Sequence, residues 1–250
     1  MGEYSNKKYL KSEIMDQSRH LFVYGYHNET RAEFLQMLER DYPLILDTNK
    51  PVALYLNHFG LRSHEKTTNP LVEIIAREYL NMIIMEKIIK KIGLLNNQDI
   101  NNKIIRIFRL MSQEKIESLS DILKQLQRSK EFYAKVYLED SVDTISMNEI
   151  PIPFMQLEML IKDLKEIMNI DSYFGIIMDK KETISHDSIR SINDLIGSRI
   201  NKDISIKVAT EPWDWNTYIG SNGQYIEYPH DYGIVELDHS YQAYMKKLKK

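Results

Sequence analysis

His20-Leu-Phe-Val-Tyr-Gly25, continued by Tyr26-His-Asn-Glu-Thr30-Arg31-Ala32 and closed by Pro51-Val-Ala-Leu-Tyr-Leu56, is the stretch on which the fold turns. The first run is apolar, β-rich and too short for a helix, so it reads as a buried strand that stops at a glycine. From Arg31 to Tyr42 the spacing becomes helical. Phe34, Leu35, Leu38 and Tyr42 fall on one face, with Glu33, Gln36, Glu39 and Arg40 on the other. Pro51 to Leu56 is a second buried strand. Strand, glycine turn, helix, strand is a βαβ unit, which places the two strands parallel with a right-handed crossover.

Downstream, the middle of the chain reads as helical. A 3.6-residue pattern runs from Asn69-Pro70, an N-cap with proline at the first helical position, to a stop at Gly93. Asn96 to Asn102 reads as a polar connector or a weak helix cap. Shorter helices are expected at about 103–111 and 117–137, the second opened by Ser118 or Ser120. After Ile150-Pro-Ile-Pro153, a helix over Phe154–Met168 leads into the strand Tyr173–Met178, which ends at Asp179. Ser185 caps a helix to Ile200, and Ile204–Ala209 is a further strand. Gln224–Tyr228 and Gly233–Leu237 are short strand candidates, and Tyr241–Lys250 a lysine-ended amphipathic helix.

The expected fold class is α/β: a mostly parallel sheet flanked by helices, with a helical insertion. Residues 1–19 read as a polar N-terminal segment. Residues 20–215 form the α/β domain, with the insertion at about 69–140. Residues 216–250 add strands and a short basic helix packed on the same domain.

Composition narrows the function classes. The chain has 250 residues, 43% hydrophobic and 28% charged, the values of a folded globular protein. It contains no cysteine, which removes disulfides, thiolate metal sites and a cysteine nucleophile. With 33 basic against 36 acidic side chains the net charge is −3, so no global basic field draws nucleic acid. Tyr79–Met85, the longest uncharged apolar run, is far short of the roughly 20 residues a bilayer span requires. With no apolar leader at the start of the sequence, a cytoplasmic location is expected. The abundance of Ile, Lys and Asn points to an AT-rich bacterial genome.

The Gly25 turn carries the chemistry. A phosphate-binding loop curls backbone N–H groups around an anion in front of a helix N-terminus, with the signature G-x-x-x-x-G-K-[ST]. Here Gly25 stands at the first glycine, Thr30 at the second, Arg31 at the lysine and Ala32 at the metal-binding hydroxyl. Thr30 lacks the conformational freedom of glycine, Ala32 has no oxygen for Mg²⁺, and Glu29 places negative charge where a triphosphate would lie. Metal-assisted hydrolysis also needs a strand ending Asp-Glu, the Asp supporting the metal and the Glu polarising water. The sequence offers Phe174-Gly-Ile-Ile-Met-Asp179-Lys180, so the acid is present and the base is a lysine. Thr210 closes the next strand, where a polar residue commonly senses the γ-phosphate.

This order of elements, together with Ile192-Asn-Asp-Leu-Ile-Gly-Ser-Arg199 and Ile206-Lys-Val-Ala-Thr-Glu-Pro212, resembles an AAA+ type P-loop NTPase. Within that class it is most similar to the bacterial origin-recognition/Cdc6-like ATPase branch. The resemblance implies a nucleotide cradle at Gly25, Asn28, Thr30, Arg31, Asp179 and Thr210, with ATP or ADP as the cofactor if one is held. It also implies that Arg199 could act in trans. The missing lysine, hydroxyl and glutamate imply a pseudo-ATPase without catalytic residues, a regulatory or scaffold subunit with at most weak nucleotide binding. A protein partner is expected, an active ATPase among the candidates. Two alternatives stand beside it: an unorthodox active ATPase using Arg31 and Asp179, and a DNA-associated adaptor.

Other patterns add less. The seven histidines lack the i,i+4 pairing of a helical zinc site, and no metal is expected. Ser185-His186-Asp187 are triad residue types in a row, which cannot converge on one point. Trp213, Trp215, Tyr218, Tyr225 and Tyr228 form an aromatic, turn-rich segment, read as packing plus a protein interaction surface. Its acidic neighbours disfavour nucleic acid, and no membrane contact is expected.

Overall fold

The computed structural model describes residues 7–26, 29–62, 70–112, 114–139, 157–198 and 202–238. In chain order these form α1 (Lys7–Met15), β1 (His20–Tyr24), α2 (Glu29–Asp41), β2 (Val52–Leu56), α3 (Pro70–Leu94), α4 (Gln98–Met111), α5 (Leu119–Glu139), α6 (Leu157–Met168), β3 (Phe174–Asp179), α7 (His186–Gly197), β4 (Ile204–Thr210) and β5 (Tyr232–Glu236). The five strands make one sheet in the order β2-β3-β4-β1-β5, and every pairing is parallel.

Both faces of the sheet are covered, which explains strands that read as continuous apolar runs. Leu21 and Val23 of β1 face α1 and α2, where Phe34, Leu35 and Leu38 are buried. Phe22 and Tyr24 point the other way, into the larger core built with α3 to α7. In that second layer α3 packs against α5 and α7. The first and last connections leave β1 and β4 in opposite directions, so the carboxyl ends of these neighbours are the topological switch point of the sheet, the usual ligand position in such folds.

Several boundaries differ from the sequence reading. Residues 7–15 are not merely polar: they form α1, with Ile14 and Met15 wholly buried. Gly93 lies inside α3; the chain leaves the helix through Asn96, whose φ of 51° is the left-handed conformation of a helix end. Of the two readings for Asn96–Asn102 the helix cap holds: Asn97 is the N-cap of α4, accepting from Ile100 N–H, and helix already runs from Gln98. Ser118, not Ser120, opens α5: its hydroxyl accepts from Asp121 N–H while the Asp121 carboxylate accepts from Ser118 N–H, a reciprocal cap. Gln224–Tyr228 is no strand. It belongs to a turn closed by the bridge Ile219↔Tyr225, with Gly223 at φ 79°. Asn69, residues 154–156, Arg199 and the expected helix over 241–250 lie outside the described residues.

At the amino ends of the strands, the wholly buried Lys207 donates to the carbonyls of Gln17 and Arg19. Beside it, His20 Nδ1 accepts from Ile206 N–H at 2.9 Å. Burial first, and the Lys207 ammonium second, push the His20 pKa down to about 4, against a smaller opposing pull from Asp231. The folded state therefore holds His20 neutral where an unfolded chain protonates it. This contribution is complete above pH 6.5 and fades as pH falls toward 4, by up to about 3 kcal/mol. Denaturant melts of His20→Gln are expected to show a flatter stability profile between pH 6.5 and 4 than the parent; parallel profiles would refute it.

Candidate functional site: a buried arginine–aspartate pair at the glycine turn

Gly25, Arg31, Asp179 and Thr210 meet at the carboxyl ends of β1, β3 and β4. The register aligns Tyr24 with Thr210 and Asp179 with Ala209, and Gly25 N–H donates to the Thr210 carbonyl at 3.2 Å. Arg31 springs from the first turns of α2 and is wholly buried. One of its terminal nitrogens donates to the Gly25 carbonyl at 2.7 Å. The other donates to the Lys180 carbonyl at 3.0 Å and pairs with the Asp179 carboxylate at 2.9 Å. The guanidinium thus spans from the glycine turn to the end of β3.

Asp179 is also wholly buried. Tyr55, near the end of β2, donates its hydroxyl to the second carboxylate oxygen at 2.8 Å, and Lys181 stands 3.5 Å from the same atom. Burial, reinforced by that carboxylate, raises the Tyr55 hydroxyl well above its ordinary pKa, so it stays a donor. The Lys180 side chain lies beside Asp214 at 3.9 Å. Burial lowers its pKa and the Arg31 charge adds to this, while Asp214 and Glu211 oppose. Thr210 is buried, its hydroxyl donating to the Glu211 carbonyl at 3.2 Å.

This arrangement differs from a working phosphate loop in one physical respect. There, lysine reaches toward the bound phosphates and the acid supports a metal. Here the cation and the acid neutralise each other, the guanidinium capped by the Gly25 and Lys180 carbonyls and the carboxylate by the Tyr55 hydroxyl. The space between the ends of β2 and β3, next to Asp179, amounts to about 20 Å³, room for about one water. A far larger groove of about 1320 Å³ lies between α3, the end of α7 and residues 220–227, and shares no lining residue with this site. It is the larger space but not where the chemistry converges, so the Arg31 site is the candidate. No cluster of three metal-ligating side chains occurs among the described residues.

Of the expected cradle, the structure brings together Gly25, Arg31, Asp179 and Thr210. Thr30 stands exposed in the first turn of α2, and Asn28 lies outside the described residues. The expected aromatic surface divides. Trp213, Tyr225 and Tyr228 are exposed, whereas Trp215 is buried and Tyr218 packs against the core. Trp215 and Tyr218 set their rings edge-on to Phe22 at 5.3 and 5.6 Å, and the Tyr218 hydroxyl lies 2.9 Å from that of Tyr24. Tyr55 and Lys181 escaped sequence reading. Nothing in an apolar strand marks Tyr55 as a partner of an acid more than a hundred residues away. Asn193 escaped it too: its buried amide donates to the Thr217 and Ile219 carbonyls and accepts from the Trp215 indole N–H, pinning the turn to α7.

The parallel sheet order, the glycine turn after β1 and the acid-ended β3 define a P-loop NTPase-like α/β protein. The ORC-CDC6-like family model matches residues 65–250, well over half of the chain. The chain belongs to the ORC-CDC6-like family, and with it to the AAA+ type. No match was found among curated proteins. Among the described residues no helix is long and apolar enough to cross a membrane.

Proposed function

We propose that this protein is a catalytically degenerate AAA+-type subunit, serving a protein complex as a regulatory or scaffold component and not turning over nucleotide. The observation that carries the reading is the Arg31–Asp179 pair, two wholly buried charges 2.9 Å apart in the place where phosphate and metal would need them. Ala32 and Lys180, standing where a working site has a hydroxyl and a glutamate, point the same way. A nucleotide would have to break the pair and leave both charges to be satisfied anew, at a cost of several kcal/mol.

Calorimetric titration with ATP and ADP, with and without Mg²⁺, tests this. The expected result is no binding heat at millimolar nucleotide and no phosphate release. Saturable binding with turnover that Arg31→Ala and Asp179→Ala both abolish would favour an unorthodox ATPase instead.

A further inference from the structure

Beside the Arg31–Asp179 pair, two aromatic rings stand at the carboxyl edge of the sheet. Tyr26 follows the glycine turn and Trp213 follows β4. They are 44% and 45% exposed, with ring centroids 5.8 Å apart and planes at 52°. Their backbones are held: Tyr26 N–H donates to the Asp238 carboxylate at 2.8 Å, and Trp213 sits in a turn closed by Asp214 N–H to the Glu211 carbonyl at 3.1 Å. Rings on a fixed backbone lose only two torsions each on binding, the property that makes Tyr and Trp effective contact residues. Their surroundings are acidic. Glu211 and Asp214 neighbour Trp213 in the chain and the Asp238 carboxylate accepts from Tyr26 N–H, while among the described cations Lys180 is almost wholly buried beside Asp214 and Lys181 lies against Asp179.

We propose that the Tyr26–Trp213 pair, with its carboxylate rim, is a docking site for an arginine-bearing segment of a protein partner. A guanidinium offers a plane to stack on the indole face and N–H groups to reach the carboxylates; an ammonium offers only the charge. The acidic rim disfavours phosphodiesters, since stacking platforms for single strands need a basic groove. The inference rests on the reading that nucleotide does not occupy this edge.

The test is titration of the purified protein with acetyl-Gly-Arg-Gly-Arg-Gly-amide, its lysine and glutamate counterparts, and oligo(dT), followed by the indole N–H NMR signals. Trp213 is the exposed member of the two tryptophans, so its signal is separable from that of buried Trp215. The arginine peptide is expected to shift Trp213 saturably at millimolar concentration, more tightly than the lysine peptide. Trp213→Ala, read by the backbone amide signals of residues 24–26, is expected to weaken binding by about two- to fivefold. Glu211→Gln should weaken it too, while both variants keep the parental melting temperature. No response to the arginine peptide, an equal response to the glutamate peptide, or tighter binding of oligo(dT) would overturn the proposal. Nucleotide binding in calorimetry would overturn the reading beneath it, whatever the peptides do.

Discussion

Arg31→Ala is expected to destabilise the protein by about 3–5 kcal/mol, because it strands the Asp179 carboxylate in the interior without its counter-charge. The Gly25 and Lys180 carbonyls lose a donor in the same stroke. For a chain of this size the melting temperature should fall on the order of 10 °C. Arg31→Lys keeps the charge but not the fork, and should fall between parent and alanine variant. An Arg31→Ala protein that melts within about 2 °C of the parent would show that the pair is not a structural keystone. Arg31→Met combined with Asp179→Leu removes both charges and should recover much of the loss, as replacement of a buried pair by apolar groups often does.

Phe22→Ala should cost a similar amount, about 3–5 kcal/mol, for a different reason. Phe22 is wholly buried, and four aromatic rings close on it: Tyr24, Trp215, Tyr218 and Tyr232, at centroid distances of 4.8 to 6.0 Å. Its loss leaves a cavity beneath the turn that follows β4. A weakened near-ultraviolet circular dichroism band from Trp215 should accompany the stability loss, while far-ultraviolet helix content stays level. A Phe22→Ala protein with the parental band and melt would place the cluster's stability elsewhere.

That cluster also marks where sequence reading stopped. Strands β1 to β4 were legible because short apolar runs, such as those stopping at Gly25 and Asp179, fit buried strands of a sheet covered on both faces. The approach of Gly25, Arg31 and Asp179 followed from the resemblance to a P-loop NTPase. The direction of the Arg31 fork did not, since a cation beside a loop can face a ligand or its own chain with the same sequence. Trp215 and Tyr218 lie among turn residues and acids, a composition shared by exposed loops and by loops that drape over a core. Only the Asn193 amide and the Phe22 ring decide between them. In α1, two buried side chains, Ile14 and Met15, sit at the end of an otherwise polar run, too few to make a readable stripe.

The position of β1 has a consequence for how the chain comes into being. Among the described strands the first in the chain is an inner strand of the sheet, and both its neighbours, β4 and β5, come last; His20 meets Ile206 across 186 residues of chain. At about 5–20 residues per second, a ribosome leaves this apolar ribbon waiting roughly 10–40 s for its partners. Until β4 arrives, β1 is an open template whose two edges accept any passing strand, and the nascent chain is at its most adhesive. The need for shielding during synthesis is therefore expected to grow with the sequence distance between β1 and its two partners.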